Sequence, residues 1–378
     1  MTQQQPGNGP ERLSVLHLLA GSDAGGLSRY VFDVCSALHA QGHHVAVAGE
    51  RGAWHWLFEK APFPWIEVPL KGSPLKLWKS YWKLLDYIKR QPVHVLHTHY
   101  RRATLVARAL QYHRKLPILY SVHLSHITIA GPRRWLSDFG DHTHVAATEA
   151  RFWLMQEARV PAKKITYIPH GIDPERFPMA DDAARLAARA ALGLKADDRV
   201  ACYVGRLDTP KNERWIVDVV QQARHALPNL KVLIAGDGPH ESQFRKRIAA
   251  DDLNDRFLLL GHCDPLPVYR ASDALLLPSA REGFSLVCAE AMSVGVPVLR
   301  TRTSGTRELI VEDVTGRSVP IEHGEFVRGA VEFLSLPGDT LRRMGAAAAA
   351  HVRTKFTFDR QLDQTLALYR KLATLSPA

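Results

Sequence analysis

The stretch Pro278-Ser279-Ala280-Arg281-Glu282-Gly283-Phe284-Ser285-Leu286-Val287-Cys288-Ala289-Glu290-Ala291-Met292, running on to Val294-Gly295-Val296-Pro297-Val298-Leu299, decides the fold. Before it, Asp273 to Pro278 is an apolar run that reads as a buried strand. A loop, a short helix, a Gly-Val-Pro stop and a second apolar strand follow. That succession is half of a parallel α/β unit. Glu282 precedes the helix and Glu290 lies within it, eight positions on. As helix, this spacing is a rise of about 12 Å, which suits the two ends of an elongated ligand. The amides of Gly283, Phe284 and Ser285 fall at the helix start, where N–H groups and the macrodipole favour an anion. Sugar hydroxyls for the carboxylates and phosphate for the amides is the ligand chemistry this implies. The plainer alternative is a surface glutamate pair on an ordinary helix.

These residues closely resemble the E-x(7)-E signature of the retaining glycosyltransferases of family 4, roughly P-S-x-x-E-G-F-G-L-x-x-x-E-A-M-A-x-G-x-P-V. Ser285 stands where that pattern has Gly, a small-for-small exchange. Two glutamates at this spacing alone carry no weight; Gly283-Phe284, Ala291-Met292 and Gly295-Val296-Pro297-Val298 around them do. Working outward, Val204-Gly205-Arg206-Leu207 with Lys211-Asn212 is similar to the family's V-G-R-L-x-x-x-K-G, with Asn212 for Gly. Ala235-Gly236-Asp237-Gly238-Pro239 matches A-G-D-G-P. Ile168-Pro169-His170-Gly171-Ile172-Asp173 resembles the hinge phrase I-P-N-G-I-D, with His170 for Asn. Ser304-Gly305 opens a match to G-G-x-x-E-x-I, with Ser304 for Gly. Just before it, Arg300 and Arg302 are open to two readings, contact with an acidic acceptor or solvent.

The resemblance covers about residues 14 to 370 and implies a GT-B fold: two facing Rossmann-like domains, a cleft between them, and a C-terminal helix crossing back. It also implies that Arg206 and Lys211 hold the donor diphosphate. A leaving nucleoside diphosphate gains negative charge as the glycosidic bond breaks, and fixed cations stabilise it without a metal. On the same resemblance Glu282 orients the sugar hydroxyls and Glu290 binds the ribose. Gly283, Phe284, Ser285 and Leu286 line the donor site, Gly236 shapes the nucleotide pocket, and backbone near Cys263 reads the base.

The N-terminal half opens with a buried strand, Ser14 to Ala20, then Gly21-Ser-Asp-Ala-Gly25-Gly26 and a helix from Leu27 to about Ala40. This is a Rossmann-like start whose glycine pair lets a ligand approach the backbone. Its spacing is not the dinucleotide fingerprint. The resemblance places Gly25 and Gly26 beneath the donor phosphates; a tight turn is the alternative. Val93 to His99 and Pro117 to His123 read as strands ending in polar residues, at the edge where α/β sheets bind ligands. His97 and His99 could be taken for a metal pair, but no third ligand is spaced to help. The resemblance points His123 at the transferred sugar, with satisfaction of a strand end as its alternative. His97, His99 and Arg101 are the acceptor-side candidates.

Bulk properties bound the rest. A chain of 378 residues suits two domains. The expected divisions are a disordered lead-in over 1–12, an acceptor domain over 13–172, a nucleotide-sugar domain over 173–355 and a returning helix over 356–378. No apolar run is long enough to span a membrane, and the N-terminus lacks a signal-peptide pattern. Cys35, Cys202, Cys263 and Cys288 read as buried thiols of a reducing cytoplasm. Residues 1–170 hold 21 Lys and Arg against 11 Asp and Glu, whereas the remainder holds 28 against 27. The basic field is confined to the first half and attracts anionic partners. There, Pro74 to Arg90 forms an amphipathic helix with Leu77, Trp78, Tyr81, Trp82, Leu85 and Ile88 on one side and lysines elsewhere. It packs on a sheet or lies on an anionic membrane surface.

The expectation is a metal-independent, cofactor-free retaining hexosyltransferase. It moves a sugar from a nucleotide-sugar, UDP-sugar favoured, to a glycan or lipid-linked envelope acceptor at the inner membrane face. A nucleotide-sugar epimerase of the same architecture is the second reading. A basic protein binding membrane or nucleic acid is the third, and it leaves Glu282 and Glu290 without a role; no nucleic-acid partner is expected.

Overall fold

The computed structural model describes residues 11–23, 25–123 and 137–374. The lead-in expected over 1–12 lies almost wholly outside them. Among the described residues, thirteen short apolar runs form strands separated mostly by helices. Strands β1 (Ser14–Gly21), β2 (His44–Glu50), β3 (Trp65–Glu67), β4 (Val95–Thr98), β5 (Ile118–Val122), β6 (His142–Val145) and β7 (Ile165–Tyr167) make one sheet in the order β3-β2-β1-β4-β5-β6-β7. Strands β8 (Arg199–Val204), β9 (Leu230–Ala235), β10 (Phe257–Gly261), β11 (Ala274–Leu277), β12 (Val298–Thr301) and β13 (Gly316–Val319) make a second, ordered β10-β9-β8-β11-β12-β13. Each recorded neighbour pair in both is parallel. Helical crossovers cover both faces of such a sheet, so its strands are apolar throughout rather than alternating; all eight residues of β1 are buried.

Both sheets wind outward in two directions from their first strand. The order reverses between β1 and β4 in one and between β8 and β11 in the other. In open α/β sheets, ligands bind outside the carboxyl ends of the strands at that reversal. The chain divides into two compact units, one sheet in each: one unit runs to Pro169 and takes up the C-terminal helix from Arg360, the other is His170–Asp359.

In the first unit, the Pro74–Arg90 helix has the bounds expected from sequence but a narrower apolar face. Leu84, Leu85 and Ile88 are buried and Leu77 and Tyr81 pack beside them. Trp78 and Trp82 stay 57% and 50% exposed, their rings edge to face at 6.0 Å. The helical repeat explains the division: residues 77, 81, 84, 85 and 88 recur on one stripe, whereas 78 and 82 lie past its edge, about 20° and 60° beyond Leu85.

In the second unit, Asp181 caps the Asp182–Ala191 helix by accepting from the Ala184 amide at 2.7 Å. In the last turn of this helix, Arg189 is buried and makes four hydrogen bonds. It donates to the carbonyls of Ala271, Ala196 and Asp198 and pairs with the Asp273 carboxylate at 2.9 Å. This clamps the helix to the residue that opens β11. Removing one partner of such a buried pair costs about 3–5 kcal/mol. Cys35, Cys202 and Cys288 are buried as expected, but Cys263 is exposed because it lies beyond the end of β10.

Candidate functional site

The second unit gathers most of the candidate residues at the reversal of strand order. β8 ends at Val204 and hands on to Gly205 and Arg206; β11 ends at Leu277 and hands on to the loop holding Glu282. Lys211, on a short 3-10 turn at Thr209–Lys211, reaches Glu282: Nζ to Oε1 is 2.7 Å. The Glu282 side chain is only 10% exposed. Burial pushes its carboxyl up, but the Lys211 ion pair and the charge of Arg300 outweigh that and hold it below the ordinary value. Arg206 remains half exposed, its Nε 3.2 Å from Asp208. Glu290 lies in the Leu286–Val294 helix and accepts from the buried Tyr269 hydroxyl at 2.9 Å.

Backbone contacts seat this loop. A side chain at Gly236 would place its Cβ 2.0 Å from the Gly205 carbonyl, so β9 can deliver its turn against β8 only with glycine there. Gly305, at φ +80°, lies so close that a Cβ would meet the Gly283 carbonyl at 2.7 Å. The Ser304-Gly305 turn therefore supports the Gly283-Phe284 backbone from below. Phe284 is buried against His170 and Phe356, with ring centroids 5.9 and 5.3 Å away.

Two sequence readings, of Ser285 and Arg300, are corrected here. Ser285 is not a small-for-small exchange: it is the N-cap of the Leu286–Val294 helix and adopts φ +62°, ψ 83°, a left-handed backbone that glycine occupies without strain. Asn212, likewise left-handed at φ +50°, is better suited, since asparagine visits that region readily and its Nδ2 here donates to the Pro278 carbonyl at 3.0 Å. That bond ties the Lys211 loop to the Glu282 loop. Arg300, read as reaching an acceptor or solvent, is fully buried and donates to Thr303 Oγ1 and the Ser304 carbonyl. It also helps to keep Glu282 ionised, a role its place in an apolar strand did not announce.

The first unit is built differently. Gly25 caps the Gly26–Ala40 helix at φ +149°, and a Cβ on it would meet nothing within 4 Å. Arg101 opens the Arg101–Leu110 helix and donates to Ser137 at 3.0 Å. His97 and His99, candidates for acceptor contact, are buried. Both His97 ring nitrogens are occupied, Nδ1 by the Tyr369 hydroxyl at 2.6 Å and Nε2 by Ser121 Oγ at 2.7 Å. His97 is therefore a packed interior group rather than a surface contact. The sequence argument that no third ligand joins His97 and His99 is overturned: with His17, from β1, one ring nitrogen from each of the three lies within 4.8 Å of the others. Their lone pairs and N–H groups are nonetheless spent on hydrogen bonds within the cluster. His123, half-buried past the end of β5, meets His99 with Nε2 to Nδ1 at 3.0 Å. Sequence reading passed over His17, His144 and Tyr369. The recurrence of histidine at alternate positions of apolar strands, His97 with His99 and His142 with His144, was the available signal.

The model described as "Glycosyl transferases group 1" matches residues 185–351, and that described as "Glycosyltransferase Family 4" matches 24–176. The D-inositol 3-phosphate glycosyltransferase of Mycobacterium tuberculosis is 30% identical over 304 residues, 73% of this chain and 61% of that protein. The chain thus spans less than two thirds of the curated relatives it matches. Among solved structures, a glycosyltransferase from Rickettsia africae superposes with a TM-score of 0.82 at 17% identity, over 96% of this chain and 100% of that one. HepE of Anabaena, solved in complex with UDP, gives 0.82 at 19% identity over 95% and 100%. These likenesses establish the fold, which is GT-B.

Proposed function

From the premise that the chain belongs to the family 4, group 1 glycosyltransferases, we propose that it transfers a hexose from a UDP-sugar to a hydroxyl acceptor with retention and without a metal. The observation carrying this reading is the Lys211–Glu282 pair at the strand-order reversal of the second unit. Lys211 and Arg206 take the charge that grows on the leaving diphosphate, as fixed cations do when aimed where charge develops. Glu282, kept ionised, accepts hydrogen bonds from sugar hydroxyls. The amides after Gly283 at the start of the Leu286–Val294 helix receive phosphate oxygens. Glu290, oriented by Tyr269, takes the ribose hydroxyls. Support for uridine comes from Anabaena HepE, whose structures hold UDP and UDP-glucose.

For the acceptor, the basic first half favours an anionic molecule, in keeping with the inositol phosphate in the name of the mycobacterial relative. A lipid-linked envelope acceptor fits the same charge, with Trp78, Trp82 and the neighbouring Lys79 and Lys83 resting on anionic lipid. No helix among the described residues is long and apolar enough to cross a membrane, so attachment through this helix would be peripheral. Sedimentation with phosphatidylglycerol vesicles that survives Trp78→Ala with Trp82→Ala removes this last reading.

The donor is tested by calorimetry with UDP-, GDP- and ADP-sugars, followed by turnover in EDTA and determination of the product anomer. Binding confined to UDP-sugars, EDTA-resistant turnover and an unchanged anomer are expected. Interconversion of the nucleotide-sugar without acceptor would favour the epimerase instead.

A further inference from the structure

Side chains two residues apart return to the same face of a strand. His17 on β1 stands in register with His97 on β4, and Ser121 on β5 with His144 on β6. His99 and His123 follow two positions after His97 and Ser121. The result is a continuous line of hydrogen bonds across four strands. From the inside outward, His144 Nε2 meets the Ile168 carbonyl at 2.8 Å, and His144 Nδ1 meets Ser121 Oγ at 2.7 Å. Ser121 Oγ meets His97 Nε2 at 2.7 Å, and His97 Nδ1 meets the Tyr369 hydroxyl at 2.6 Å. The Tyr369 hydroxyl meets His17 Nε2 at 3.4 Å, the weakest link. His17 Nδ1 meets His99 Nε2 at 3.0 Å, and His99 Nδ1 meets His123 Nε2 at 3.0 Å.

A neutral imidazole has one N–H and one lone pair, so each link fixes the next. Burial keeps these rings neutral: it pushes His17 down to about 3 and His144 to about 4, and lowers His97 and His99 well below the ordinary value. A carbonyl can only accept, so His144 donates from Nε2 and accepts at Nδ1. Ser121 must then donate to His144 and accept from His97 Nε2. Tyr369 donates to His97 Nδ1 and accepts from His17 Nε2. His99 donates to His17, and His123 donates to His99.

We propose that the Ile168 carbonyl, acting through this line, fixes His123 as its Nε2–H tautomer with the lone pair on Nδ1, and that Tyr369 and Ser121 are its positioning residues. In that tautomer Nδ1 accepts from a donor such as a hydroxyl; in the opposite one it would donate to an acceptor such as phosphate. This deepens the transferase reading and rests on it for the ligand, a sugar hydroxyl, but the tautomers themselves do not depend on it.

The test is a long-range proton–nitrogen correlation spectrum of histidine-labelled protein, free of donor and acceptor. All five rings should show Nε2–H. In Tyr369→Phe, His17, His99 and His123 should move towards tautomer averaging while His97 and His144 hold. In Ser121→Ala, His97 should join the averaged set and His144 alone should hold. A wild-type His123 bearing Nδ1–H overturns the proposal, as does a disturbance spread equally over all five rings in either variant. Should Tyr369→Phe fail to fold, Ser121→Ala carries the same ordering. With transferase assays added, Tyr369→Phe should lower turnover severalfold at unchanged UDP affinity. Absence of any transferase activity in wild type would overturn the functional reading and leave the tautomer pattern standing.

Discussion

The two sheets share one winding order, and each puts polar side chains at the place where that order reverses. Their electrostatics are opposite. In the first unit the polar groups are neutral rings, buried and spent on one another. In the second they are ions, Lys211 with Glu282 and Arg206 with Asp208, the former pair mostly shielded and the latter open. A hydrogen-bonded neutral line gains strength in a low-dielectric interior without a large desolvation cost, whereas charges gain there only when paired. The first arrangement suits holding a ring in one orientation. The second suits meeting a change of charge. Damage to the first should therefore register chiefly in stability and ring chemistry, and damage to the second chiefly in rate.

The largest expected effect tests the ionic side. Lys211→Ala or Arg206→Ala should lower turnover by roughly 10²–10³, the size of removing one fixed donor or cation from a developing charge. Thermal melting should stay near wild type in Arg206→Ala, since Arg206 is half exposed, and fall in Lys211→Ala, which takes the ion-pair partner from the shielded Glu282 carboxylate. Wild-type turnover in both variants would remove the role given to them.

The neutral side should answer to acid. The histidines are neutral in the folded unit and titrate near 6.5 when unfolded. Folding is unaffected by them above that value. As pH falls below it, the unfolded chain binds protons the folded one refuses, so stability declines towards the depressed folded values, about 3 for His17 and about 4 for His144. Each such group contributes a slope of up to about 1.4 kcal/mol per pH unit. Denaturant melts between pH 7 and 5 should show steep loss, equally steep in Lys211→Ala. A flat profile would mean the rings are solvated.

A smaller change is expected at Glu290. If Glu290 takes the ribose hydroxyls as proposed, Glu290→Gln keeps the shape but weakens those charge-assisted bonds, so UDP binding should fall about tenfold, roughly 1.4 kcal/mol. Calorimetry reads this directly; equal affinity would move the ribose elsewhere.

Much of this was legible in the chain. Continuous apolar runs alternating with helical patterns give a parallel sheet, and Gly-rich turns with Arg206, Lys211 and Glu282 in the loops after strands, and Glu290 in the helix that follows, mark one candidate site. What escaped depends on pairs distant in sequence. His17 meets His99 across 82 positions, and Tyr369 meets His97 across 272, so no local pattern joins them. Arg300 escaped because a cation inside a strand reads as solvent-facing until its bonds to Thr303 and Ser304 are seen. Trp78 and Trp82 were misgrouped because a helix face read by eye is wider than the stripe that packs.

Backbone conformation was the hardest layer to read, and it gives the finest test. Ser285 and Asn212 each stand where the family pattern has glycine, and both have positive φ, +62° and +50°. The left-handed region costs a side-chain-bearing residue about 1–2 kcal/mol, while glycine gives back part of that in unfolded-state entropy. At 285 the compensation is slight, a hydroxyl contact to Cys288 Sγ at 3.3 Å. Ser285→Gly should therefore stabilise by about 0.5–1 kcal/mol. At 212 asparagine tolerates the conformation and supplies the bond to Pro278, so Asn212→Gly should destabilise by about 1 kcal/mol. Denaturation midpoints of the two variants should move in opposite directions. Movement in the same direction would mean that strain rather than the Pro278 latch governs both turns, and the loops carrying Lys211 and Glu282 would then be held together by their ion pair alone.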